Sequence, residues 1–559
     1  MDGPPAEEAT HQLESLVHAI SDLRRRVEAL ERQSFIAPVE AEPLFQAHAP
    51  APLSADLSSG LLAGLGRVLL GIAGAYLLRA ITEANLLPHL AGALAGVLYA
   101  CVWLVVAQRA SASSRWAAPL QAAAASAVLG PLLWEATLRF HTLPPSAAAA
   151  ILAIFMILGQ ALAWGRGVSS MAGIVTLAGS ATALALIVAT LDPLPFALAL
   201  AATAITVEYG ACRDRLVATR WIAATPADFC GFLLAYLITR PNGLPEGYAP
   251  VPVAVVVLLL WILLAVYLAS ILFRTLRRER RIGWFEIGQL LVLAAVAIGT
   301  VLELAHASVV VAVVGGGCLL FSAGFYAAAG WKRARGPERN AQVYATFGLL
   351  LALLGFRLLA VGLTLAALWS VLALVATGLG EHLRRNVLRV HGALYLVAAG
   401  TAAGLMSWSP RVSAAALIGM VAASAYLLTL WIRLPGAVRW QDRAPSLISA
   451  GLLCWSLVGL ATGSATFLHL SMAFTSTLRT LVVSAIAIAL AWLGSRRALN
   501  ELVWLLYPWM TFGAAKLLLE DFGKGQSATL FVSLLVYGAA LIALPRLLRR
   551  AKPAASDLS

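Results

Sequence analysis

Charge is scarce in this sequence. Of 559 residues only 12% are Asp, Glu, Lys or Arg, against about a quarter in an ordinary soluble domain, whereas 60% are hydrophobic. No soluble fold buries that much apolar surface. Cysteine is nearly absent too: Cys101, Cys212, Cys230, Cys318 and Cys454 stand far apart, mostly within apolar runs. Neither a CxxC metal pair nor a disulfide framework is present, and the five read as small core residues. The first sixty residues are polar, and no small-residue cleavage site follows the first apolar run near Leu61. We therefore expect no cleaved signal peptide and a cytoplasmic head. No strand precedes a glycine-rich turn, so Gly315, Gly316 and Gly317 are read as close packing and Pro131 as a kink, not as parts of a phosphate loop. No cofactor or metal is implied.

What is abundant is apolar sequence in stretches of about 20 residues, the length that crosses a hydrocarbon core of roughly 30 Å. The expected fold is an all-α integral membrane protein with about eighteen spans: 61–81, 86–107, 116–137, 145–165, 168–191, 194–210, 221–239, 251–273, 284–305, 308–329, 341–360, 361–380, 387–407, 412–432, 445–465, 475–495, 500–519 and 526–547. A net charge of +13 would point to nucleic acid in a soluble protein; here it reports topology, and no nucleic-acid partner is expected. Eight alternate connections, counted with the adjoining Arg389, hold 23 arginines and lysines, while the nine between them hold Arg139, Arg240, Arg411 and Lys524. That bias places both termini in the cytoplasm of a multi-pass protein of the bacterial inner membrane. Membrane lipids are the expected partners, and "FRTLRRERRIG" (273–283) is either a topology signal or a site for anionic headgroups.

Outside the 61–547 membrane domain, residues 11–33 place Leu13, Leu16, Ile20, Leu23, Val27 and Leu30 alternately three and four apart. Three such heptads make a parallel homodimeric coiled coil or a solvated amphipathic helix. Residues 34–60, with Pro38, Pro43, Pro50 and Pro52, read as a tether, and 548–559 as a basic tail.

A charge at the bilayer centre costs roughly 2.5–3.5 kcal/mol, so embedded charges are paired, snorkelled or functional. Arg67, Glu208, Glu286 and His391 fall toward cytoplasmic helix ends. Arg79 with Glu83, Glu135 with Arg139, Glu303 with His306, Arg357, Arg479, and Lys516 with Glu520 and Asp521 all fall at extracytoplasmic helix ends on this topology. They read either as separate anchors or as one polar cavity. Lys516 and Glu520, four apart, should share a helical face. Lys before Glu is the weaker order, and acids at a helix C-terminus oppose the macrodipole, so a cation such as Arg357 or Arg479 should compensate. Glu303 and His306 have the spacing of a base with its orienter, half a metal site, or a structural pair. In "TPADFCGF" (225–232), Pro226 should interrupt the helix next to Asp228, the deepest acid, which forms a cation or proton site, or a kink with Asp228 hydrogen-bonded to Arg220 or another helix.

Two stretches carry a likeness. "LGRVLLGIAGAYLLRAITEANLLP" (65–88) and residues 476–550, with "FGAAKLLLEDF", resemble the first span and C-terminal signature of a bacterial family of multispan membrane proteins grouped as a domain of unknown function. The matching positions are Arg79, Lys516 and Asp521. A glutamate frequent in that family is replaced by Val and Ser within 479–495. The resemblance implies architecture and no activity.

Three functions compete. The first is a transporter, or a membrane-embedded binding protein for a polar or lipid-like ligand met from the extracytoplasmic side. The second is an enzyme acting on a lipid-linked or envelope substrate, with Glu303, His306 or Glu135 as acid or base; the short outer connections weigh against it. The third is an assembly protein recruiting partners through its coiled coil.

Overall fold

The computed structural model describes residues 55–549 apart from 85, 111–116, 216–218, 306, 334–337, 408–409, 432–439, 498 and 525–526, together with Ser21 and Arg25. The heptads at 11–33 and His306 thus lie outside the described residues. The chain forms two compact units, Met1–Leu65 and Gly66–Ser559, and the second holds the charged clusters and cavities.

Among the described residues the protein is helical and has no strand. The helices are α1 (Ala55–Glu83), α2 (His89–Ala110), α3 (Ala117–Trp134), α4 (Pro145–Arg166), α5 (Ser169–Thr190), α6 (Pro193–Cys212), α7 (Arg220–Thr239), α8 (Val253–Leu276), α9 (Trp284–Leu304), α10 (Ser308–Arg333), α11 (Glu338–Leu359), α12 (Gly362–His382), α13 (Asn386–Ala402), α14 (Val412–Trp431), α15 (Trp440–Phe467), α16 (Met472–Arg496), α17 (Asn500–Lys516) and α18 (Ser527–Arg549). Among the described residues, sixteen helices are long and apolar enough to cross a membrane. Helix is the outcome lipid demands, because every backbone polar group must be satisfied within its own segment. Hydroxyls follow the same rule by donating one turn back: Ser126 to Ala122 O at 2.9 Å, Thr203 to Ala199 O at 2.8 Å, Thr462 to Val458 O at 3.0 Å.

Large side chains on the outer surface are apolar and exposed, Leu98, Ile154, Val188 and Leu320 among them, as expected where lipid is the solvent. The buried residues form three successive cores. One is built from α2 to α11, the next from α11 to α15, and the last from α14 to α18. Between α10 and α11 the backbones touch: a Cβ on Gly315 would lie 3.2 Å from Gly355 O, and one on Gly355 2.9 Å from Gly315 O. Gly316 and Gly317 face open space, so one glycine of the triplet makes the contact and two do not.

Two helices end in π turns. α3 widens at Glu135–Arg139, four residues after Pro131, and α17 at Leu517–Asp521. Both are closed by a phenylalanine amide: Phe140 N–H donates to Glu135 O, and Phe522 N–H to Leu517 O.

Candidate functional site

The seventeenth helix meets the sixteenth through charge. Lys516 Nζ lies 2.6 Å from Asp521 Oδ1 and 3.6 Å from Glu520 Oε2, and it also donates to Ser476 O at 2.5 Å and Thr480 Oγ1 at 2.6 Å. The acid that Lys516 favours is therefore not its i,i+4 neighbour. A π turn closes each hydrogen bond over five residues instead of four, so positions five apart come to share a face. Glu520 is instead clasped by Arg479 Nη1, at 2.6 and 2.7 Å. Asp521 also accepts from Ser476 and, at 2.7 Å, from Thr480. All four charged residues are buried, with the Lys516 side chain 0% and the Asp521 side chain 3% exposed. Two cations and two acids pair with one another.

The other π turn is built alike and left open. Arg79 Nη1 of α1 lies 2.9 Å from Glu135 Oε1, its Nε lies 3.1 Å from Glu83, and Arg139 stands 3.8 Å from Glu83. These are again two cations and two acids. Here, however, the Arg79 and Glu135 side chains keep 35% and 23% of their exposure. They rim a cavity of about 130 Å³ between α1, α2 and α3. His89, stacked on Phe140 with ring centroids 5.0 Å apart, completes the polar side, and Ile72, Val128 and Leu132 are part of the apolar wall.

A third network joins α6 to α9. Arg220 bonds Glu208 through two nitrogens at 2.8 and 2.9 Å and also reaches Glu286. Arg274 bonds Glu286, and Ser270 donates to Glu208 at 2.6 Å. Glu286 caps its own helix by accepting from Gly283 N–H at 2.7 Å. By position alone Arg220 reads as a loop residue; what aligns these groups is the packing of four helices, which spacing along one chain does not show.

Of the candidate site residues, the structure brings Arg479, Lys516, Glu520 and Asp521 together, and separately Arg79 with Glu135. Arg357 and Glu303 are exposed and make no salt bridge among the described residues. Among the described residues, the cavity beside Arg79 and Glu135 is not lined by Arg357, Arg479, Lys516, Glu520 or Asp521. α7 runs unbroken through Pro226, so the interruption expected there is corrected: proline at this position removes one donor, and its fixed φ suits a helix. Asp228 accepts from Gln289 Nε2 at 3.0 Å, not from Arg220. All five cysteines are free, and among the described residues no three His, Cys, Asp or Glu side chains gather as a metal site would require.

Sequence reasoning missed a second cavity. A groove of about 740 Å³ lies among α10, α11, α12 and α13, with Glu338, Arg384 and Arg385 on its rim. On its lining, Tyr326 OH is 3.1 Å from His391 Nδ1 and 3.2 Å from Tyr395 OH. The buried His391 is legible as an embedded polar residue, but its tyrosine partners are not.

No family model matches this sequence, and neither a curated protein nor a solved structure is similar to it at a significant level.

Proposed function

We propose that the protein is a multi-pass transporter or membrane-embedded binding protein, and that a polar or lipid-like ligand enters the cavity between α1, α2 and α3 from the extracytoplasmic side. One observation carries this reading: Arg79, Glu83, Glu135 and Arg139 balance in charge, stay partly exposed and stand beside an apolar wall. A zwitterionic head can exchange partners with two such ion pairs at no net change in charge, while the wall takes an apolar tail. A purely anionic or cationic head would leave one member of each pair uncompensated. The family resemblance at residues 65–88 and 476–550 belongs to the same proposal, since Arg79 is among the positions that carry it.

The test is thermal unfolding of the purified full chain in neutral detergent, titrated with short-chain phosphatidylethanolamine and, separately, phosphatidylglycerol. The zwitterionic lipid should stabilise the protein, by about 2.7 kcal/mol at a hundred times its Kd, and Arg79→Gln should remove the effect. Equal stabilisation of the wild type and the variant would overturn the reading. The second reading, a structural or assembly role, is favoured by the closure of the Lys516 cluster, and it predicts no ligand-dependent shift.

A further inference from the structure

Asp228 is a partly buried acid, one of whose carboxyl oxygens, Oδ1, is fully buried. It lies eight residues into α7, about 12 Å from the helix start, and among the described residues no cation pairs with it. The neighbouring arginines are committed elsewhere: Arg220 to Glu208 and Glu286, and Arg274 to Glu286. Those two arginines and two glutamates sum to zero, so the charge of an ionised Asp228 would be left over.

The hydrogen bonds show the same deficit. Gln289 Nε2 donates to Asp228 Oδ2 at 3.0 Å, whereas Asp228 Oδ1 and Gln289 Oε1, both buried, have no partner. The fully buried Tyr267 hydroxyl of α8 faces this carboxylate without a hydrogen bond of ordinary geometry. A carboxyl and a primary amide can join through two parallel hydrogen bonds, N–H to one carboxyl oxygen and O–H to the amide oxygen. The first of these is formed here. The two atoms that would make the second are both acceptors, and neither has a hydrogen bond of ordinary geometry.

We propose that Asp228 and Gln289 form a proton-binding site, in which one proton on Asp228 Oδ1 is donated to Gln289 Oε1. A single proton cancels the leftover charge and satisfies both orphaned acceptors, which are costly to bury unpaired. A sodium ion would cancel the charge as well, but it needs more oxygen ligands than these residues supply. The other titratable or charged groups on the packed elements are Glu208, Tyr209 and Cys212 of α6, Tyr267 and Arg274 of α8, Glu286 and Glu303 of α9, and Arg220, Cys230 and Tyr236 of α7 itself; α5 carries none. The site is independent of the α1–α3 cavity, and either proposal can fail without the other.

Infrared difference spectroscopy of the full chain in vesicles, recorded across a pH step, tests it. At neutral pH the wild type should show the carbonyl band of a protonated carboxylic acid, shifted by carbon-13 aspartate labelling and lost in Asp228→Asn. Gln289→Leu should move that band to higher frequency by removing its hydrogen-bond partner, which identifies the residue even if the asparagine variant does not fold. Absence of an aspartic acid band would overturn the proposal, because the carboxylate would then be ionised and served by Tyr267. A band bleached by sodium at constant pH, with N-methylglucamine as the control cation, would overturn it in favour of a metal cation.

Discussion

The clusters at Arg79 and at Lys516 are made from the same parts and behave as opposites. Each joins two cations to two acids, each is seated on a π turn at the end of a helix, and each turn is closed by a phenylalanine amide. The space beside Arg479 is about 20 Å³, room for one water, against about 130 Å³ beside Arg79. What separates an internal brace from a candidate binding site is therefore not which charges are present but whether hydroxyls fill the remaining coordination. Ser476 and Thr480 accept from Lys516 and donate their hydroxyl protons to Asp521; around Arg79 and Glu135 that place is left to solvent or a ligand.

The comparison breaks most sharply at Lys516. Lys516→Met strands Asp521 as a buried acid without a cation and should cost roughly 3–5 kcal/mol, read as a lowered unfolding temperature in detergent. Arg79→Met should cost under ~1 kcal/mol, as for an accessible pair. Equal losses would erase the distinction. Glu520→Gln keeps an acceptor for Arg479 but loses the charge, and a loss of about 1.5–3 kcal/mol is expected. A double-mutant cycle with Arg479→Met should return a coupling above ~0.5 kcal/mol, and additive effects would contradict the geometry. Deleting Leu519, whose side chain is exposed, should convert the π turn to an α turn and leave Lys516 and Asp521 four apart. Its cost should be nearer the ~1 kcal/mol of an ordinary change; unfolding as severe as that of Lys516→Met would show that the widened turn itself is indispensable. The smallest effect on stability is expected from Glu135→Gln, below ~1 kcal/mol, but this variant should blunt the response to phosphatidylethanolamine.

Most of the helical plan is legible in the sequence because it depends on length and composition alone. The span expected at 168–191 is Ser169–Thr190, and that at 194–210 is Pro193–Cys212. The span expected at 387–407 stops early, at Ala402, because the following residues turn through Gly404 with φ of 72°, a conformation open to glycine. The site is legible as a set of charges but not as a set of partners. Spacing assigns Lys516 to Glu520 on the assumption of an α-helix, and a π turn reassigns it to Asp521. Spacing offers Arg220 to Asp228, yet Arg220 turns to Glu208 on α6 and Glu286 on α9. In both cases the deciding atoms come from another helix, or from one extra residue in a turn. Neither leaves a periodic trace.

The buried cluster at Lys516 also bears on how the chain enters the bilayer. α16 carries Arg479, and the end of α17 carries Lys516, Glu520 and Asp521, each costly to expose to lipid. A helix released alone would meet hydrocarbon with its charges uncompensated, whereas the two together are neutral and already hydrogen-bonded. The low-cost route is for α16 and α17 to leave the insertion machinery as a hairpin, with the serine and threonine hydroxyls of one already holding the lysine of the other. On that route the C-terminal ion pairs form before either helix meets hydrocarbon with a bare charge.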